Sequence, residues 1–155
     1  MIKTISLVSV LVLMLEGCTS VALNNSANTQ VINQETSKIM SELQEGVSMH
    51  FDTASSTIDP KYTPYFKMAA YMLEQQPNLL IALEGHTDNI GSVNTNKKIS
   101  LERANAIKTV LITDYKVNSE QIMTVGLGSA RPSYNNNTAE GRANNRRVIA
   151  TIYAK

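Results

Sequence analysis

Residues 79–111 read LLIALEGHTDNIGSVNTNKKISLERANAIKTVL, and this stretch decides how the chain is built. Leu79 to Gly85 is a short apolar run that follows Pro77 and ends on a glycine, the pattern of a central strand. From Ser92 to Tyr115 the apolar residues recur at helical spacing. With Ile99 at zero and about 100° per residue, Ala104, Ala106, Ile107, Val110 and Leu111 share one broad face with it. That face should look at a sheet, and Lys98, Glu102 and Lys108 fall outside it. Asn96, Ser100 and Arg103 break the pattern, because they fall within the apolar face, at roughly 60°, 100° and 40° on the same wheel.

A guanidinium turned inward needs an anion, since an unpaired buried charge is costly and arginine keeps its proton. The nearest acid in sequence is Asp88, at the exit of the apolar strand. Strand exit and helix start meet at the edge of a sheet, where α/β folds commonly place a ligand crevice. Gly91 between them suits a turn with positive φ or a close backbone approach. A structural Asp88–Arg103 ion pair that binds nothing fits the same residues, and the sequence leaves both possibilities open.

Upstream, Val47, Met49 and Phe51 alternate with Ser48 and His50, the period of a half-buried strand. Asp59-Pro60 offers an N-cap and a first-turn proline to a helix that ends at about Gln76, before Pro77. Downstream, Gln121–Leu127 and Arg146–Ala154 are predicted strands separated by a polar, Asn-rich loop. The order β-α-β-α-β-β predicts an α/β sandwich, one mixed sheet with helices packed on one face. Tyr62, Tyr65, Phe66, Met68, Tyr71 and Met72 are predicted to form core with a partly wet aromatic edge. The loop Ser133–Thr138 is predicted to be a solvated connection.

The chain opens with a different signal. Lys3 precedes an apolar run from Ile5 to Leu15, shorter than the roughly 20 residues that a bilayer span requires. This predicts a secretory leader over residues 1–17. Cys18 is the single cysteine of the 155 residues, so no internal disulfide is available to it. Leu15-Glu16-Gly17-Cys18 resembles a bacterial lipobox, with Glu16 departing from the small residue usual there. The resemblance implies a lipidated (palmitate-bearing) Cys18. Thr19, in place of an inner-membrane-retention aspartate, implies an outer-membrane address with the domain facing the periplasm. Residues 18–45 are expected to be a lipidated N-terminus and tether, flexible from Thr19 to about Gln34 with a short amphipathic helix over 35–45. The folded domain is expected over 46–155. Hydrophobic residues make up 43% of the chain and charged ones 17%, enough apolar content for a core. The net charge of +1 argues against a nucleic-acid partner, whose binding proteins carry a basic excess.

Gly85-His86-Thr87-Asp88, Gly91, Asn96, Ser100 and Arg103-Ala104 together resemble the OmpA-like peptidoglycan-binding domain. The pattern T-D-x-x-G-x-x-x-x-N-x-x-L-S-x-x-R-A is kept, with Ile99 in place of the leucine. Phe51-Asp52, Gly126-x-Gly128, Gly141-Arg142 and Asn145-Arg146-Arg147-Val148 extend the likeness over about residues 46–154. The resemblance implies non-covalent binding of the peptidoglycan stem peptide at meso-diaminopimelate, and so an anchor between outer membrane and wall. Asp88 would then meet the ammonium of that residue and Arg103 its carboxylate. Thr87 and Asn96 would add polar contacts, with Arg146 and Asp52 at the rim. Arginine suits the carboxylate because its planar fork matches two oxygens at once.

Two rival readings come from other classes. His86-Thr87-Asp88 with Glu84 and His50 could be imagined as a metal site, but no recognised ligand spacing appears. Ser92 or Ser100 as a nucleophile would need a base, and Ser100 sits beside an arginine instead. No enzyme, metal or cofactor is therefore expected. The second rival keeps the fold and makes the chain an interaction subunit of a cell-envelope protein complex.

Overall fold

Helix α1 (Ser26–Glu45) leads into strand β1 (Val47–His50), helix α2 (Thr63–Gln75), strand β2 (Leu79–His86) and helix α3 (Val93–Thr113). Strand β3 (Ile122–Gly128), the short helix α4 (Ala139–Asn145) and strand β4 (Arg147–Ala154) complete the chain. These elements come from a computed structural model that describes the backbone of residues 26–155 and the side chains from Asn33 onward. The predicted leader, Cys18 and the start of the expected tether lie outside the described residues.

The four strands form one mixed sheet in the order β1-β4-β2-β3. β4 lies antiparallel to both β1 and β2, while β2 and β3 run parallel, joined through α3. Val47 and Met49 of β1, Ile81 and Leu83 of β2, and Val148, Ala150 and Ile152 of β4 are buried. They belong to one core with Phe66, Ala69, Met72 and Leu73 of α2 and Ala104, Ile107 and Leu111 of α3. Each such aliphatic side chain contributes about 1.5–3 kcal/mol by leaving water. The opposite face of the sheet is more open: Met123, Val125 and Tyr153 are exposed, and Leu80, Ala82, Ile149 and Thr151 are half-buried. The expected sandwich is thus present, with strand ends within about one residue of those read from the sequence.

Three expectations need correction. Residues 26–34, expected as flexible coil, are helical. Leu43 is fully buried, and Ile39 and Met40 pack against the core, so the C-terminal half of α1 docks. Tyr65 of α2 ties it down by donating to Glu42 Oε2 at 2.6 Å. A docked helix extends cheaply, because each added residue gains one hydrogen bond without a new nucleus. Asn33–Lys155 accordingly forms one compact unit that begins before residue 46.

The helix expected from Asp59-Pro60 begins instead as a 3-10 turn over Pro60–Tyr62, with Asp59 accepting from Lys61 N at 3.0 Å. The α-helix proper starts at Thr63, with Pro64 in its first turn, where a missing N–H costs nothing. Finally, α4 interrupts the connection read as loop. Thr138 caps it by accepting from Gly141 N at 3.0 Å. Asn145, fully buried at its C-terminal end, accepts from the backbone N–H groups of Ser133 and Tyr134 and donates to Tyr134 O. The Asn-rich segment is therefore folded onto one buried amide.

Candidate functional site: a cationic cavity at the end of β2

Two glycines set the geometry. A Cβ on Gly85 would stand 1.9 Å from Ser100 O, and one on Gly126 would stand 2.6 Å from Lys97 O. The backbone of α3 therefore lies directly on β2 and β3, closer than any side chain would permit. This contact explains the inward Ser100: its hydroxyl donates to Lys97 O at 2.9 Å and accepts from Gly128 N at 3.0 Å. Ser100 is fully buried and bonded on both sides, a strap between helix and sheet with no free role for a nucleophile.

At the end of β2 the chain turns through Thr87 and Asp88 into the capped start of α3, where Ser92 accepts from Thr95 N at 3.1 Å. Gly91 adopts φ +95° in this turn, the conformation anticipated for it. Thr87, Asp88, Asn96, Arg103 and Arg146 line one cavity of about 370 Å³, together with Thr53, Ala54, Ile90, Thr95, Ile99 and Arg142. Five of the six ligand-contact candidates thus converge. Asp52 does not: its exposed side chain lines a neighbouring cavity of about 380 Å³, and its contribution is its backbone carbonyl.

The charge pairing differs from the sequence expectation. Asp88 pairs with Arg146, whose Nη1 donates to Oδ2 at 2.9 Å, and Asp88 Oδ1 accepts from Ile90 N at 3.0 Å. Arg103 instead donates to three backbone carbonyls, Ser55 O at 2.8 Å through Nε, Asp52 O at 2.9 Å through Nη2 and His86 O at 3.4 Å through Nη1. Its guanidinium also lies 5.3 Å from the centre of the Phe51 ring. The side chain is 1% exposed, yet it meets dipoles and a π-face rather than a carboxylate. Burial and the neighbouring Arg146 pull this guanidinium below its usual range, against the opposing pull of Asp88. Arg146 closes the site from the other side, with Nε donating to Phe51 O at 3.3 Å.

Asn96 anchors the turn by donating to Asp88 O at 3.3 Å. Thr87 N donates to Gly128 O at 3.0 Å, but its hydroxyl, in a residue only 4% exposed, has no partner among the described residues. A buried unpaired hydroxyl in a cavity wall is a group for which a ligand can supply the missing bond. Sequence reasoning missed Arg142, Ile90 and Ile99 as wall members. Arg142 stood within a quoted match and could have been found had α4 been recognised, since residues 142 and 146 lie one turn apart.

The imagined metal site does not assemble: among the described residues no three His, Cys, Asp or Glu side chains could share an ion. His50 lines the neighbouring cavity, while His86 is buried 4.0 Å from a half-exposed Glu84. Burial, with Arg147 and Arg131 nearby, lowers the His86 pKa to about 4, so the imidazole is neutral at pH 7. No helix among the described residues is long and apolar enough to cross a membrane.

Known proteins share this architecture. The outer membrane protein Omp38 of Acinetobacter baumannii is 42% identical over 115 residues, which cover 72% of this chain and 32% of Omp38. The probable lipoprotein YiaD of Escherichia coli is 37% identical over 102 residues, 66% of this chain and 46% of YiaD. The chain thus spans about a third to a half of the lengths of these relatives. The crystal structure of the peptidoglycan-associated lipoprotein from Burkholderia pseudomallei superposes with a TM-score of 0.65 at 26% identity, covering 68% of this chain and 89% of that one. Residues 50–146, which carry the cavity, match the profile of the OmpA family, and the chain belongs to that family.

Proposed function

We propose that this domain binds the peptidoglycan stem peptide without making or breaking a bond, and so holds the outer membrane to the wall. The observation that carries the reading is the cavity wall itself, which brings together the paired Asp88, Thr87 with its unpartnered buried hydroxyl, and the buried Arg103. A diaminopimelate head offers an ammonium and a carboxylate on one carbon. The ammonium would share Asp88 with Arg146, and the carboxylate would take the N–H groups that Arg103 does not spend on Ser55, Asp52 and His86. Arg103 need not move, because its three carbonyl bonds already fix the fork, and preorganisation of this kind lowers the entropic cost of binding. Thr87 would complete the set with its hydroxyl. Each charge-assisted bond contributes about 1.5–3 kcal/mol.

Similarity to the Burkholderia peptidoglycan-associated lipoprotein supports the wall ligand, and similarity to outer membrane proteins supports the compartment. On this reading residues 1–17 are removed, Cys18 carries the lipid, and the segment up to the compact unit spans part of the gap to the wall. No catalytic step is needed.

The test is calorimetric titration of a diaminopimelate-containing muropeptide into the full chain, beside Asp88→Asn and Arg103→Lys. Binding by the parent that is lost in both folded variants, and is weak with a lysine-containing stem, supports the reading; a folded parent that binds no stem rejects it. A second reading, an interaction subunit of an envelope complex, draws on the exposed Met123, Val125 and Tyr153 of the open sheet face. Partner capture that survives Asp88→Asn and fails on substitution of that face would favour it.

A further inference from the structure

The charges around the cavity do not balance for a single amino-acid head. Arg103, Arg142 and Arg146 line it against one carboxylate, Asp88, which leaves two positive charges in excess. Among the described residues, Arg146 alone of these three has a carboxylate within 4.0 Å. Arg103 and Arg142 bond to carbonyl and ring groups alone, Arg142 through Nη1 to Asn136 O at 2.8 Å. An ammonium and carboxylate on one carbon are neutral together, so they leave the excess unchanged. When the ammonium takes up part of Asp88, Arg146 loses part of its only counter-charge. A half-buried guanidinium pair in that position favours a further anion.

From this imbalance we infer that the cavity holds a second carboxylate of its ligand at Arg142 and Arg146, and that Arg142 is the specificity-determining residue for it. The inference rests on the stem-peptide reading above and adds a requirement to it. Arg142 stands on α4, one helical turn before Arg146, so the two guanidinium groups can present a joint edge. Asn145 and Thr138 hold α4 in place by their bonds to the 133–138 segment. Two carboxylates of a stem peptide fit the requirement, and they share one chemistry: that at the second end of diaminopimelate, free when the stem stops there, and the α-carboxylate of a γ-linked glutamyl residue. Amidation at the one that reaches Arg142 would remove the charge and keep the shape.

The experiment compares three tripeptide stems on the full chain by calorimetry: both carboxylates free, the diaminopimelate end amidated, and the glutamyl carboxylate amidated. The expected result is that one amidation, and not the other, weakens binding roughly tenfold, the scale of one charge-assisted contact. Arg142→Gln should weaken the free stem by a similar factor and erase the difference between stems. Arg142→Lys should retain part of the preference, because it keeps the charge and loses the fork. If the parent binds all three stems alike and Arg142→Gln is no weaker, the second-carboxylate inference is overturned while the wall reading stands. A parent that binds none of the three overturns both. The amidated stems probe the parent itself, so the inference can fail even if Arg142→Gln does not fold.

Discussion

His86 makes the fold sensitive to acid. Its ring is 3% exposed, neither nitrogen has a hydrogen-bond partner among the described residues, and Arg147 and Arg131 lie close enough to repel a proton. Burial first, and then these two cations, lower its pKa from 6.5 to about 4. Above pH 6.5 the imidazole is neutral in both folded and unfolded chains, and it contributes nothing to pH dependence. Below 6.5 the unfolded chain takes up a proton that the folded one refuses, so stability falls as pH falls. The loss ends near pH 4, where the folded ring is protonated too. About 1.4 kcal/mol per unit over that window amounts to about 3 kcal/mol. His50 is displaced in the same direction by burial, Lys61 and Arg147, so its contribution must be separated.

His86→Leu separates it. The substitution keeps the His86 carbonyl that accepts from Arg103, removes the titrating ring and relieves two unpaired nitrogens. Urea unfolding of residues 33–155, followed by circular dichroism between pH 7.5 and 4, gives both profiles. The parent should lose about 3 kcal/mol more than the variant between pH 6.5 and 4. At pH 7.5 the variant should equal or exceed the parent, since leucine has no polar atom to leave unsatisfied. Parallel profiles would refute the reasoning, because they would mean that the folded ring accepts its proton at an ordinary pH.

Asp88→Asn should cost about 2–3 kcal/mol of stability, read by the same unfolding assay, because it removes the one carboxylate among three guanidinium groups. Gly85→Ala should cost about 3 kcal/mol or more, since its Cβ would overlap Ser100 O, whereas Gly91→Ala should cost about 1 kcal/mol, for its φ of +95° alone. Thermal unfolding distinguishes the two glycines. Asn145→Ala removes the acceptor shared by Ser133 and Tyr134, and limited proteolysis should then cut within residues 133–138 while the parent resists.

What the sequence disclosed and what it concealed divide along physical lines. Helix α3 was legible because apolar residues recur at helical spacing from Ile99 to Leu111, interrupted only by Ser100 and Arg103 on the inward face, and its cap, Ser92, precedes it. The strands were legible because alternation in β1, and the short apolar runs of β2 and β4, match a pleated surface. Helix α4 was hidden, since seven residues containing Gly141 and two asparagines show no period, and its stability comes from the buried Asn145 side chain across the loop. Two of the cavity residues, Asn96 and Arg103, were legible because they sat with Ser100 on a face that should have been apolar, whereas Thr87, Arg146 and Asp52 were named only through the family resemblance. Their partners were not legible. An inward arginine implies an acceptor, but sequence cannot say whether that acceptor is a side chain or the backbone. Here three carbonyls from distant turns fill that role, Ser55 and Asp52 from the loop after β1 and His86 from β2. Asp88 is thereby left to Arg146, which is 58 residues away and has no periodic relation to it. An Asp88–Arg103 pair would have left the same excess charge in the cavity but tied Arg103 to a carboxylate. Separating the two leaves Arg103 both fixed in place and uncompensated in charge, and a rigid, uncompensated guanidinium is a better receptor for a carboxylate than one that must first release its own.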